Sequence, residues 1–153
     1  MVWLIYLDLR FNNFHGPLPA EVYTKLSQIK DLILNNNAFT GTITDSIGAF
    51  PGEVLSLANN KFTGPIPSTL AKATGLNEFV VLGNQLTGSI PTGLGALKKL
   101  KVFDVSQNRL TGTVPEDLCS IKTLEHLILS GNKLDKHLGP MCAALKKKGI
   151  LKI

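Results

Sequence analysis

Apolar residues recur along this chain in one short pattern and at one long interval. The run Leu4-Ile5-Tyr6-Leu7-Asp8-Leu9-Arg10-Phe11-Asn12-Asn13-Phe14-His15-Gly16-Pro17-Leu18-Pro19 fits the frame LxxLxLxxNxFxGxLP. The frame returns at residues 29–44, 52–67, 76–91, 100–115 and, less well, 124–139. Its Asn falls at Asn12, Asn37, Asn60, Asn84, Asn108 and Asn132, with spacings of 25, 23, 24, 24 and 24 residues. Six copies at so even an interval mark a repeat architecture, in which each unit buries its apolar face against its neighbours.

Each frame position has a physical reading. The L-x-L pair alternates with period two, so it predicts a short strand with both Leu residues pointing inward. Strands stacked repeat on repeat form a parallel sheet. The frame Asn sits where the chain turns away from the strand. Its amide both donates and accepts, so a column of Asn can bond the backbone of the turns; a ligand contact is the other reading of that column. Phe14, Phe39, Phe62, Leu86, Leu110 and Leu134 then fill the core beneath the turn. Gly16, Gly41, Gly64, Gly88 and Gly112 permit dihedrals that a Cβ resists. The following apolar-Pro pairs favour extended backbone, which predicts a second short sheet or a polyproline stretch and then a brief helical turn. The fold class expected is an α/β repeat: a curved right-handed solenoid with a parallel concave sheet and a convex side of short helical and 3-10 turns. One domain over 1–153 holds six repeats of about 24 residues and the strand of a seventh at Leu151 and Ile153. The first strand starts at once with Leu4, Leu7 and Leu9, so a fragment of a longer solenoid without its caps is expected.

The strand residues that do not face the core face the concave side, in three columns. The first reads Tyr6, Asp31, Val54, Glu78, Val102, His126 and Ile150. The second reads Asp8, Ile33, Ser56, Val80, Asp104, Ile128 and Lys152, and the third Arg10, Asn35, Ala58, Leu82, Ser106 and Ser130. Asp8, Asp31, Glu78 and Asp104 are thus interleaved with apolar residues, and only Arg10 and Lys152 are basic. The strip is a candidate surface for a basic, partly apolar ligand. The plainer account is that apolar residues are ordinary on a parallel sheet.

Composition alters this picture little. The chain is 44% hydrophobic and 18% charged, which is globular, not disordered. The net charge of +5 is uneven. Residues 98–153 hold eleven Lys/Arg against five Asp/Glu, a net of +6, while residues 1–97 hold five against six, a net of −1. Only Arg10 and Arg109 among the sixteen basic residues are Arg, a poor fit to nucleic-acid readers, which favour Arg for bidentate contacts. No apolar run approaches the roughly 18 residues of a membrane span. The opening apolar run from Met1 lacks a basic start and is cut by Asp8 and Arg10, unlike a signal peptide.

Chemistry-bearing constellations fail to form. His15 and His137 fall in turns of the frame and His126 on a strand, with no metal-ligand spacing. No phosphate-binding or nucleophile-elbow motif occurs. Glu116 and Asp117 suit a helix N-terminus, where adjacent carboxylates point apart. Lys146-Lys147-Lys148 suits either an anionic polymer or the solvated last turn of a helix. No catalytic, cofactor-binding or metal residue is assigned, and no enzyme is expected. Cys142 falls one repeat on from Leu118, hence one layer away from Cys119 and offset by one residue. That places the pair within reach of a disulfide; two buried thiols acting as small hydrophobes is the alternative.

The Thr63-Gly64-Pro65-Ile66-Pro67 and Thr87-Gly88-Ser89-Ile90-Pro91 elements resemble the plant subclass of leucine-rich repeats. Leu7-Asp8-Leu9-Arg10-Phe11-Asn12, Leu57-Ala58-Asn59-Asn60-Lys61-Phe62 and Val114-Pro115-Glu116-Asp117-Leu118-Cys119 resemble the leucine-rich-repeat extensins of plant cell walls and their shorter relatives without a Pro-rich tail. The chain departs from the pattern in having no Ser-Pro-Pro-Pro run, no N-terminal cysteine cap, Thr44 in place of a frame Pro, and Lys136 and Gly139 in place of Gly and Pro. The resemblance implies a secreted, wall-associated recognition and scaffolding module binding a protein or basic peptide, with wall polysaccharide a further candidate partner. Two alternatives are an inhibitor of a secreted wall-degrading glycosidase, as similar polygalacturonase inhibitors are, and an ectodomain piece of a receptor-like protein or kinase.

Overall fold

The computed structural model describes residues 3–153; Met1 and Val2, at the head of the opening apolar run, lie outside them. In chain order the strands are β1 (Tyr6–Asp8), β2 (His15–Pro17), β3 (Asp31–Ile33), β4 (Ala38–Thr40), β5 (Val54–Ser56), β6 (Thr63–Gly64), β7 (Glu78–Val80), β8 (Gln85–Leu86), β9 (Val102–Asp104), β10 (Thr111–Gly112), β11 (His126–Ile128), β12 (Lys133–Leu134) and β13 (Leu151–Lys152). The odd-numbered strands form one seven-stranded sheet, β1-β3-β5-β7-β9-β11-β13, with every pairing parallel. The even-numbered strands form three two-stranded flanking sheets, β2-β4, β6-β8 and β10-β12. The fold is therefore the repeat solenoid that the frame predicts.

Register follows from the frame. Leu7, Leu32, Leu55, Phe79, Phe103, Leu127 and Leu151 pair successively across the main sheet. From Leu32 to Leu151 the column is buried. A one-residue slip would turn all of these side chains to solvent, so the apolar pair in each strand fixes the stacking. Leu34, Leu57, Val81, Val105 and Leu129 form the second inward column. Phe14, Phe39 and Phe62 stack along the turn, with ring centroids 6.1 and 6.3 Å apart. Phe14 does not fill the core as expected: it is 44% exposed, because the stack has a neighbour on one side of it only.

The second sheet lies a few residues earlier than the apolar-Pro pairs suggest, in the segment after the frame Asn, reaching the frame Gly in β6 and β10 and one residue past it in β2. This is where each frame Asn bonds the adjoining turn, so neighbouring turns are already held at pairing distance. His15 accordingly lies in β2 and not in a turn. The return segments are helical turns: α1 (Glu21–Thr24), 3-10 turns at Asp45–Ala49, Ser68–Lys72 and Leu94–Ala96, then α2 (Glu116–Cys119) and α3 (Pro140–Lys147). Pro140 stands in the first turn of α3, where its missing N–H costs nothing, and Gly149 at φ +76 follows the helix end.

Gly139 has a specific reason. A Cβ there would lie 2.5 Å from the carboxyl carbon of Glu116. That carboxylate accepts the backbone N–H of Met141 at 2.8 Å and of Cys142 at 3.1 Å. Glu116 thus caps the next repeat's helix from below, while Asp117 accepts the N–H of Gly95 at 2.9 Å in the repeat above. The two adjacent carboxylates do point apart. A disulfide joins Cys119 to Cys142, with 5.1 Å between the Cα atoms, and ties α2 to α3.

Candidate ligand-binding surface

The residues between the inward Leu positions form the outer face of the main sheet. Tyr6, Asp31, Val54, Glu78, Val102 and His126 are in register across consecutive strands, and so are Asp8, Ile33, Ser56, Val80, Asp104, Ile128 and Lys152. Strand spacing of about 4.8 Å puts Asp31 and Glu78, two strands apart, about 10 Å from each other. Ile33, Val54, Val80, Leu82, Val102 and Ile128 are half-buried, as are Asp31, Asn35 and Glu78; Tyr6, Arg10 and His126 are exposed. Ser56, Asp104 and Ser106 are buried and form the floor.

Charge on this face is less uniform than the columns suggest. Asp8 is engaged by its own strand: Arg10 Nε donates to both carboxylate oxygens at 3.0 and 2.9 Å, and the guanidinium closes to 2.7 Å. The Arg10 backbone N–H and the Tyr6 hydroxyl also donate to it. The hydrogen bonds from Arg10 hold the Asp8 carboxyl below its usual range. Tyr6 is pushed up by desolvation and then by the adjacent Asp8 charge. Asp104 accepts the N–H and hydroxyl of Ser106 at 3.0 and 2.6 Å, so its position is set by its own strand. Asp31, Glu78 and Asp104 are left as carboxylates without an ion-pair partner among the described residues.

Two further columns border the face. One residue before the first column stand Lys30, Glu53, Asn77, Lys101 and Glu125. Lys30 and Glu53 approach to 3.6 Å, Asn77 Nδ2 donates to Glu53 at 3.1 Å, and Lys101 and Glu125 approach to 3.6 Å. This rim is charge-paired across layers. At the other border the residue before each frame Asn has a left-handed backbone: Phe11, Asn36, Asn59, Gly83, Gln107 and Gly131 have φ between 52° and 73°. A Cβ on Gly83 would collide with Asn59 Oδ1. Asn and Gly enrichment at this position is the signal that marks it in the sequence; Phe11 and Gln107 carry no such mark.

The frame Asn column is structural. Asn84 Nδ2 donates to Leu57 O and Val81 O at 3.0 Å each, and its Oδ1 accepts the Phe62 N–H at 3.0 Å. Asn37, Asn60, Asn108 and Asn132 repeat this arrangement. Their polar groups are consumed by the scaffold, which leaves the strand columns as the available contact groups.

Catalytic groups do not converge on this face. His15, His126 and His137 are each exposed and lie on different repeats. Among the described residues the cluster that comes closest to a metal-ligand set is Glu116 with Cys119 and Cys142. Its sulfurs are joined to each other and its carboxylate is bonded to two backbone N–H groups, so its donors are already spent. No helix among the described residues is long and apolar enough to cross a membrane.

Known proteins carry the same repeat. Leucine-rich-repeat family profiles match residues 74–134 and residues 3–24 and 53–73. The chain belongs to the leucine-rich-repeat family, and its relatives make it a plant-type member. It is 37% identical over 73 residues to Receptor-like protein 31 of Arabidopsis thaliana, a match covering 46% of this chain and 8% of that protein. It is 36% identical over 61 residues to Leucine-rich repeat extensin-like protein 3 of the same plant, covering 40% of this chain and 8% of that one. The matched segments span less than a tenth of the length of these relatives. Among solved structures, a TDR receptor superposes with a TM-score of 0.84 at 32% identity, over 87% of this chain and 23% of the receptor. The BIR2 ectodomain of Arabidopsis thaliana does so with 0.77 at 31%, over 88% of this chain and 70% of its own. The Arabidopsis receptor kinase HAESA, solved with the peptide hormone IDA and the co-receptor SERK1, superposes with 0.79 at 31%, over 86% and 22%.

Proposed function

We propose that this chain is a non-enzymatic recognition and scaffolding module, and that the outer face of its main sheet binds a cationic, partly apolar peptide or protein segment. The observation that carries the reading is the set Asp31, Glu78 and Asp104, carboxylates without an ion-pair partner, set among half-buried Ile33, Val80 and Ile128. Such a face steers a cation and repels an anion, and its apolar residues supply contact area that desolvates on binding. HAESA, whose fold this chain shares, was solved with a peptide and a co-receptor, which supports a peptide or protein ligand. The Cys119–Cys142 disulfide suits an oxidising, extracellular setting. The extensin-like relative supports a place in the plant cell wall. A second reading, an ectodomain piece of a receptor-like protein, is favoured by the match to Receptor-like protein 31 and uses the same face.

The test uses a synthetic peptide of alternating Lys and Leu residues and its Glu-for-Lys counterpart. Asp104 is buried, so the charge reversal is made at the half-buried pair, as Asp31→Lys with Glu78→Lys. The wild-type chain binds the Lys peptide and not the Glu peptide, with affinity falling as salt rises; the double variant loses that preference. Equal binding of both peptides by wild type, or an unchanged double variant, rejects the reading.

A further inference from the structure

The surplus positive charge is not spread over the solenoid. Lys98, Lys122 and Lys146 are spaced 24 residues apart, each five residues before the central residue of its strand, and those central residues (Phe103, Leu127 and Leu151) are paired across the sheet. The three lysines therefore hold the same position in three consecutive repeats. Lys98 and Lys122 follow the last 3-10 turn and α2, and Lys146 stands in the last turn of α3. One repeat earlier the same position is Thr74. All three side chains are exposed, and none has a carboxylate within ion-pair distance among the described residues, in contrast to Lys30 and Lys101 on the rim. Like charges set on adjacent layers repel, and a bound anion relieves that repulsion.

The column has shape as well as charge. A surface cavity of about 390 Å³ is lined by Lys98, Ser120 and Lys122. The Ser120 hydroxyl donates to Asp117 O at 2.6 Å, which leaves its oxygen able to accept from a ligand hydroxyl. Thr123 Oγ1 donates to Lys98 O at 3.0 Å and to Leu100 O at 2.8 Å, tying the backbone that carries Lys98 to the next layer. Neighbouring Lys99, Lys147 and Lys148 add to the field.

We propose that this column docks a linear polysaccharide bearing one carboxylate on each sugar ring, laid along the solenoid axis. The ligand class follows from what the column contains and lacks. It offers ammonium point charges and a hydroxyl. It has no Arg for bidentate phosphate contacts and no aromatic ring for base stacking, which disfavours a nucleic acid. A polyuronate presents carboxylates at regular intervals and hydroxyls between them, matching lysines at regular intervals with Ser120 between. This site is separate from the peptide-binding face, so either can fail alone.

The experiment measures affinity of the full chain for polygalacturonate, its fully methyl-esterified form and duplex DNA, by calorimetry across a salt series. Wild type is compared with Lys98→Gln/Lys122→Gln/Lys146→Gln and with a control of equal charge change, Lys25→Gln/Lys61→Gln/Lys72→Gln. Circular dichroism melting checks that each variant is folded, and Lys122→Glu alone serves if the triple is not. The column variant is expected to bind polygalacturonate about tenfold more weakly, for three exposed charge pairs. The control should change by less than about twofold, and the ester should not bind. Equal losses in both triples, no binding by wild type, or DNA bound as tightly as polygalacturonate overturns the proposal.

Discussion

Cys119 and Cys142 lie 5.1 Å apart at Cα and form a disulfide between helices of consecutive repeats, at a sequence separation of 23. The same junction is held by Glu116, whose carboxylate bonds the N–H of Cys142. In the chain-entropy account a bridge closing a loop of this size is worth about 3 kcal/mol. For a chain of this length that corresponds to a fall in Tm of about 10 °C when it is lost. Cys119→Ala/Cys142→Ala, melted beside wild type with and without reductant, checks the value. Reductant should lower the Tm of wild type and leave the double variant alone; two titratable thiols in protein never exposed to reductant would refute the bridge.

The stacking of Asn84 on its neighbours gives a second expectation. Its amide serves the carbonyls of Leu57 and Val81 and the N–H of Phe62, and it is 8% exposed. Asn84→Ala strands buried backbone groups, each costing about 1–3 kcal/mol, so a loss of about 3 kcal/mol is expected in urea unfolding. Asn12 occupies the same frame position but is exposed, and among the described residues its amide serves only the Leu9 and Arg10 carbonyls. Asn12→Ala should cost under about 0.5 kcal/mol. Equal costs at the two positions would mean that the ladder is not what the frame Asn supplies.

Why the scaffold was readable in the sequence, and the surface less so, follows from these residues. The inward Leu positions and the Asn column repeat every 24 residues or so because every layer poses the same packing and hydrogen-bonding problem. Periodicity therefore exposes them. Phe14 obeys the frame yet is exposed, since the frame cannot say which layer lacks a neighbour. The pairing of Lys30 with Glu53 and of Lys101 with Glu125 depends on cross-layer contacts at a position the apolar pattern leaves blank. Asp8 and Arg10 are both placed on the face by the columns, but the columns do not show that the two side chains bond each other and cancel. The left-handed position before each Asn is visible where Asn or Gly fills it and hidden at Phe11 and Gln107.

Tyr23 packs edge-on against Phe50, with centroids 6.5 Å apart, and is 1% exposed. Its hydroxyl is buried without a hydrogen-bond partner among the described residues. Burial pushes its ionisation well above the ordinary tyrosine value. Removing an unbonded buried hydroxyl while keeping the ring recovers its desolvation cost. Tyr23→Phe should therefore keep or raise stability, by up to about 1 kcal/mol in urea unfolding. A loss of more than about 1 kcal/mol would show that the hydroxyl is bonded in solution.

The Asp8–Arg10 pair links acidity to recognition. Arg10 holds Asp8 below the usual carboxylate range, so the folded state binds a proton there less readily than the unfolded chain. The pair's contribution to stability is then fully present above the ordinary carboxylate range and is lost as pH falls through the depressed folded value. Both side chains are solvent-accessible, so the effect on stability is small. Its effect on charge is the more telling one. In wild type the Asp8 carboxylate is neutralised by its neighbour, and only Asp31, Glu78 and Asp104 remain to attract a cation. Arg10→Gln frees that carboxylate and removes the cation beside it. Two outcomes are expected together: NMR titration shows the Asp8 carboxyl moving up towards its usual value, and the Lys/Leu peptide binds more tightly to Arg10→Gln than to wild type at low salt, the difference fading as salt rises. A variant in which Asp8 titrates as before, or in which the peptide binds more weakly, would show that Arg10 does not mask the acidic face.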